Sequence, residues 1–294
     1  MSPLDLVKLT ALMELTSGRA ETKVGLIDGP VAMDHPDLAG DNIRALPGKL
    51  SGACALANSA ACMHGTFVAG ILFAKRSSAA PAICPNCTLL VRPIFAETTS
   101  TNGHMPSATP EELATAIIDC IEAGARIINL SAALAQPSSK GERRLQEALD
   151  HAAKRGVIVV AAAGNQGAVG SSAITRHPWV ISVVACNGKG RPISYSNLGN
   201  SIGRRGLSAP GEDITSIVAD GTEFSFGGTS AAAPFVTGAI ALLRSEFPAA
   251  TAGEVRFALT RPYVSRRATV VPPLMDAWSA YQIIATTHAR RRVS

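Results

Sequence analysis

Four segments of this chain hold side chains suited to acyl-transfer chemistry. "VGLIDGP" sets Asp28 at the carboxyl end of an apolar run, "MHGTFVAG" sets His64 at the mouth of a helix, and "FGGTSAAAP" sets Ser230 at the mouth of another. In such a trio the serine hydroxyl attacks a carbonyl carbon, the imidazole takes its proton, and the carboxylate orients and stabilises the imidazolium. "VVAAAGNQG" adds Asn165 just past a further apolar run, where its amide can donate to an oxyanion alongside the Ser230 N–H. Taken singly, each residue has a plain reading: an Asx-turn for Asp28, a helix-end role for His64, an N-cap for Ser230, a left-handed turn for Asn165. The set of four is far more specific. Its neighbours fit as well. Gly65 leaves space beside the imidazole, and Gly227 and Gly228 permit close backbone approach. Pro234 reads as a first-turn proline whose missing N–H is not needed.

The elements that must position these groups alternate. Buried strands are read at 23–27, 88–94, 126–131, 157–164 and 180–186, with shorter extended pieces near 205–218 and 222–226. Helices are read at 64–74, after the capping box Thr109-Pro110-Glu111-Glu112, from Ser139-Lys140-Gly141-Glu142 to Arg155, from about 230 to 246, and after Thr251-x-x-Glu254. The strands are continuous Val/Ile/Leu runs, the pattern of strands covered on both faces. The expected fold is therefore α/β, three layers with a mostly parallel central sheet between helices. In such a sheet functional groups gather at the carboxyl ends of the strands. No repeat or low-complexity linker divides the chain, so residues 1–294 are expected to form one domain. Residues 1–22 would be a helical extension with an amphipathic helix, and 261–294 a C-terminal segment ending in a basic, frayed tail.

The net charge is +5, much of it in Arg266, Arg267 and Arg290 to Arg292, with no interleaved aromatics. A nucleic-acid partner is not expected. No run is long and apolar enough to cross a membrane, and the N-terminus lacks a signal-peptide pattern, so a cytoplasmic location is expected. Of six cysteines, Cys54/Cys62 and Cys84/Cys87 fit either two local disulfides or free thiols, and Cys120 and Cys186 read as buried packing. The Cys54–Cys62 spacing fits no standard zinc knuckle. His35 and His104 read as solvated, and Glu97 either as exposed or as a selector of basic substrate residues.

"LIDGPV", "HGTFVAGIL", "NLSAAL", "VVAAAGNQG" and "GGTSAAAPFVTGAIALL" resemble, in order, the signature segments of subtilisin-like serine proteases. The resemblance runs from about Lys23 to Leu259. It implies Asp28, His64 and Ser230 as triad and Asn165 as oxyanion donor. It also implies that Ser131, Ala132, Ala133 and Gly164, with a strand near Thr99 to Gly103, flank an extended peptide substrate. Gly29-Pro30 stands where the family usually has Ser or Thr and then Gly. That "DGPV" form, the leading helix and "CPNC" resemble the protease domains of cyanobactin maturation. The implied activity is endopeptidase cleavage of a peptide or protein through an acyl-enzyme. Peptide cyclisation by the same intermediate and non-catalytic peptide binding are the alternatives. No cofactor or metal is expected. Asp37 matches a calcium-ligand position of many relatives, but the loop after the His64 helix lacks carboxylates. The oligomeric state is left open.

Overall fold

Seven strands form one sheet in the order β2-β3-β1-β4-β5-β6-β7, every neighbouring pair parallel. The computed structural model describes residues 1–38, 40–98, 108–131, 142–260 and 269–293. In chain order the elements are α1 (Pro3–Leu6), α2 (Leu9–Leu15), β1 (Lys23–Asp28), β2 (Ile43–Ala45), α3 (Ala60–Phe73), β3 (Thr88–Pro93), α4 (Pro110–Glu122) and β4 (Ile127–Leu130). There follow α5 (Glu142–Arg155), β5 (Ile158–Ala162), α6 (Ala173–Arg176), β6 (Ile181–Cys186), α7 (Asn200–Arg205) and β7 (Leu207–Pro210). A hairpin of β8 (Ile214–Ile217) and β9 (Glu223–Phe226) leads into α8 (Thr229–Glu246), then α9 (Ala252–Thr260) and α10 (Ala277–Val293).

The unbroken apolar strands have the expected cause. Along β1, Val24 and Leu26 face a core built from α3 and α8, while Ile27 faces a second core built from α4 and α5. β3 and β5 alternate in the same way: Leu89, Val91, Ile158 and Val160 on one side, Leu90, Val159 and Ala161 on the other. Both faces are covered, so the sheet is the middle of three layers. β1 lies between β3 and β4, so the chain turns to opposite sides of the sheet around it. The crevice beyond the carboxyl end of β1 is thus the topological switch point.

Several boundaries differ from expectation. α3 starts at Ala60, because Ser59 caps it through the Cys62 N–H, so His64 lies within the helix, not at its mouth. The N-terminal helix is broken in two by Lys8, whose φ is 54°. The basic C-terminus is helical as α10, not frayed, and Arg291 pairs with Glu254 at 2.7 Å. Its apolar side chains at Ala277, Ala280 and Ile284 are buried in the core. The Thr109 capping box forms as read; Ser139, in the next expected cap, lies outside the described residues.

Candidate active site

Asp28 ends β1 fully buried, and its Oδ1 lies 2.7 Å from His64 Nδ1. The same oxygen accepts the Gly29 N–H at 2.6 Å; the Asx-turn read for Asp28 cannot form, because Pro30, two residues on, has no N–H. Two glycines let the elements approach. A Cβ on Gly29 would collide with the Ala61 carbonyl oxygen in the first turn of α3, and one on Gly65 with the Pro30 carbonyl oxygen. Gly65 therefore does not simply clear space beside the ring. It lets α3 lie against the turn after Asp28. The His64 side chain is only 11% exposed. Burial by itself would depress its pKa, but the Asp28 charge and hydrogen bond outweigh that, and the net shift is upward. The contact fixes the proton on Nδ1 and leaves Nε2 as the acceptor. Phe226, at the end of β9, meets the His64 ring edge-on at 6.0 Å between centroids and also packs on Phe67.

Ser230 is the second residue of α8 and 6% exposed. The N-cap is Gly228, so Ser230 does not cap the helix. Neither its hydroxyl nor His64 Nε2 enters a hydrogen bond among the described residues. Such contacts commonly close only over a substrate. Asn165 is anchored through its oxygen: Oδ1 accepts the Thr229 N–H and the Thr229 hydroxyl, both at 2.9 Å. That orientation turns Nδ2 outward as a donor beside Gly228. Asn165 is not itself left-handed; the positive φ values belong to Gly164 and Gly167. At the mouth of α8, Gly228 O accepts from Ala231 and Ala232, and no described acceptor takes the Ser230 N–H. Both peptide groups of Gly164 are engaged, its N–H by the Thr229 hydroxyl and its carbonyl by the Asn197 N–H. Ser131, just past β4, donates its hydroxyl to the Ser230 carbonyl at 3.3 Å. Ala132, Ala133, residues 99–103 and His104 lie outside the described residues.

A family profile described as "Subtilase family" matches residues 19–268. The chain belongs to the subtilase family. It is 32% identical over 247 residues to subtilisin DY of Bacillus licheniformis, covering 81% of each chain. Other Bacillus subtilisins match at 31–32% over 260 residues, 62% of their length. Among solved structures, the protease domain of PatA superposes with a TM-score of 0.83 at 30% identity, over 92% of this chain and 97% of that one. The prenylagaramide maturation protease PagA superposes with a TM-score of 0.81 at 28% identity, over 94% and 98%. The three-layer fold is thus the subtilisin-like one, and this subtilase is a serine endopeptidase.

Where many subtilases follow the aspartate with Ser or Thr, Gly29-Pro30 here offers no side-chain donor. Asp28 Oδ2 has no partner among the described residues. The entrance to α3 is tied down from outside the triad. Cys54 and Cys62 form a disulfide, and Glu97 accepts the N–H groups of Ala55 at 2.9 Å and Leu56 at 2.8 Å and the Ser59 hydroxyl at 3.3 Å. Glu97 is therefore not simply exposed; it clamps this loop. The local disulfide, one of the two readings left open for Cys54 and Cys62, is the one that forms. Cys84 and Cys87 are free buried thiols. Glu97 lies near both disulfide sulfurs, the one group of three metal-type residues among those described, but bonded sulfurs are not thiolate ligands. His35, expected in solvent, is 6% exposed, its Nδ1 accepting the Asp37 N–H at 3.1 Å. Asp37 belongs to no such group among the described residues. No described helix is long and apolar enough to cross a membrane.

Proposed function

We propose that Ser230, His64 and Asp28 form the catalytic triad of this subtilase, with Asn165 Nδ2 and the Ser230 N–H as oxyanion donors. The substrate is an extended segment of a ribosomally made precursor peptide. The observation that carries the reading is the 2.7 Å His64–Asp28 contact at the switch point of the sheet. His64 Nε2 takes the Ser230 proton as Oγ attacks the scissile carbonyl. The developing oxyanion faces the two donors, and the imidazolium then protonates the departing amine. Water, deprotonated by the same imidazole, releases the acyl group. The reading takes residues 1–294 as one peptidase domain and requires no cofactor. The likeness to PagA, whose name describes a maturation protease, supports the substrate class.

Incubation with tagged precursor peptides, read by mass spectrometry, tests this. Linear products cut at one position are expected; cyclic product alone would show that an amine and not water resolves the acyl-enzyme. Fluorophosphonate should label the native chain and not Ser230→Ala. Absent labelling of the native chain would favour the non-catalytic binder.

A further inference from the structure

α8 contains a proline, and its place in the helix matters. Pro234 is not in the first turn, as the sequence suggested; it lies four residues after Ser230. In an α-helix the Ser230 carbonyl takes the N–H of residue 234, and proline has none. The carbonyl of the proposed nucleophile is therefore orphaned by the sequence, in a residue that is almost fully buried.

The missing donor comes from another layer of the fold. Thr237, one helical segment further along α8, donates its hydroxyl to Asn129 Oδ1 at 2.7 Å. Asn129 Nδ2 donates to Ser131 Oγ at 2.7 Å, and Ser131 Oγ–H donates to the Ser230 carbonyl at 3.3 Å. Asn129 and Thr237 are fully buried. The direction of each bond follows from supply. A serine hydroxyl has one proton, and because Ser131 receives from Asn129, that proton is available to Ser230. Turning the Asn129 amide round would draw the Ser131 proton away and leave the carbonyl unpaired, which a buried acceptor tolerates poorly. The chain of bonds starts and ends on α8 and crosses β4, so it ties the first turn of the helix to the sheet.

We propose that Asn129, Ser131 and Thr237 are a positioning relay that replaces the hydrogen bond removed by Pro234 and holds Ser230 in its attacking place. Ser131 then acts through Ser230 and not through the substrate. The proposal rests on Ser230 being the nucleophile.

A double-mutant cycle tests it. Parent, Ser131→Ala, Pro234→Ala and the double variant are compared by kcat and KM on a peptide substrate and by the rate of fluorophosphonate labelling. Pro234→Ala restores the N–H at position 234. Ser131→Ala should lower kcat and labelling about tenfold with KM little changed, a tenfold change being about 1.4 kcal/mol. In the Pro234→Ala background the same substitution should cost less than about threefold, because the helix now supplies the donor. Ser131→Thr, which keeps a hydroxyl, should retain most activity, and Thr237→Val should follow Ser131→Ala in both backgrounds. Equal losses in both backgrounds, or a loss confined to KM, would overturn the relay. Labelling that survives in Ser230→Ala would instead overturn the triad, whatever the cycle gives.

Discussion

Asn165 turns its amide oxygen toward Thr229, accepting from both the N–H and the hydroxyl of that residue. One side chain thus does two things: it satisfies an N–H at the mouth of α8 and, because its oxygen is committed, presents its nitrogen outward. Two substitutions separate these functions. Asn165→Asp keeps the acceptor and loses the donor; Asn165→Ala loses both. Both should lower kcat, by about 10²–10³-fold if the loss matches that known for the oxyanion asparagine of subtilisin. Only Asn165→Ala should also lower the melting temperature, since only there does the Thr229 N–H lose its partner. A parent-like kcat in either variant would exclude Asn165 as an oxyanion donor.

The His64–Asp28 contact fixes the sign of the pH dependence. Imidazolium cannot accept the Ser230 proton, so activity is absent below the His64 pKa and present above it. The net shift of that pKa is upward: burial opposes it, and the Asp28 carboxylate overrides burial. The acid limb of kcat/KM should therefore lie above the ordinary imidazole value of about 6.5. Asp28→Asn removes the charge that raises the pKa and releases the tautomer. A loss of about 10⁴-fold is expected by analogy with another serine-protease triad. A limb at or below the ordinary value would mean that His64 is not the base being titrated.

Much of the fold and of the site was legible in the sequence, for reasons that also explain what was missed. β5 is wholly apolar, and β1 and β6 are largely so, because both of their faces are covered, and that is visible along one strand. Asp28 and Ser230 stand at element ends, where the local pattern breaks, whereas His64 lies inside α3. β2 is three residues long and mostly exposed, and gives no pattern. The start of α3 was misplaced because Ser59 caps it with a cysteine, not Glu or Gln, at the third helical position. α10 did carry a helical signal, Ala277, Ala280 and Ile284, which the arginines after it obscured. Glu97 could not be placed, because its partners lie in a loop distant in sequence; the His35 contact with Asp37 is local, but the burial of that ring leaves no sequence pattern.

Glu97 and the disulfide restrain the same loop, and that loop contains Ser59, the cap of the helix that carries His64. Removing either restraint should therefore reach the active site. Reduction of the native enzyme should lower its melting temperature, a closed loop of this size being worth about 2–3 kcal/mol at most. It should also slow fluorophosphonate labelling. Glu97→Gln should matter little in the oxidised enzyme and more in the reduced one, since the carboxylate is then the remaining clamp. Equal effects of Glu97→Gln under both conditions would show that the two restraints act independently.

Gly29 faces the Ala61 backbone in α3, and Gly65 faces the backbone of Gly29 and Pro30. Alanine at either should force α3 away from the β1 turn, with a loss of about 1–3 kcal/mol in stability, the usual cost of overpacking. Activity should fall by more than the unfolded fraction accounts for, because the strain is relieved along the axis of the catalytic contact. Labelling per folded molecule, measured well below the melting temperature, distinguishes this from simple destabilisation.

Arg76 bears on the calcium question. Its guanidinium donates to the carbonyls of Met13 at 2.6 Å, Thr16 at 2.8 Å and Ile83 at 3.3 Å. A fixed cation thus gathers carbonyl oxygens from the end of α2 and from the segment before β3. These bonds tie the two segments together without carboxylates. Arg76→Ala should lower stability by about 1–2 kcal/mol, the partial exposure of these bonds keeping the figure small. It should also make the bond after Leu15 more sensitive to an added protease. Chelator treatment should leave the melting temperature of the parent unchanged. A fall on chelation that added calcium reverses would mean that this subtilase holds a metal site.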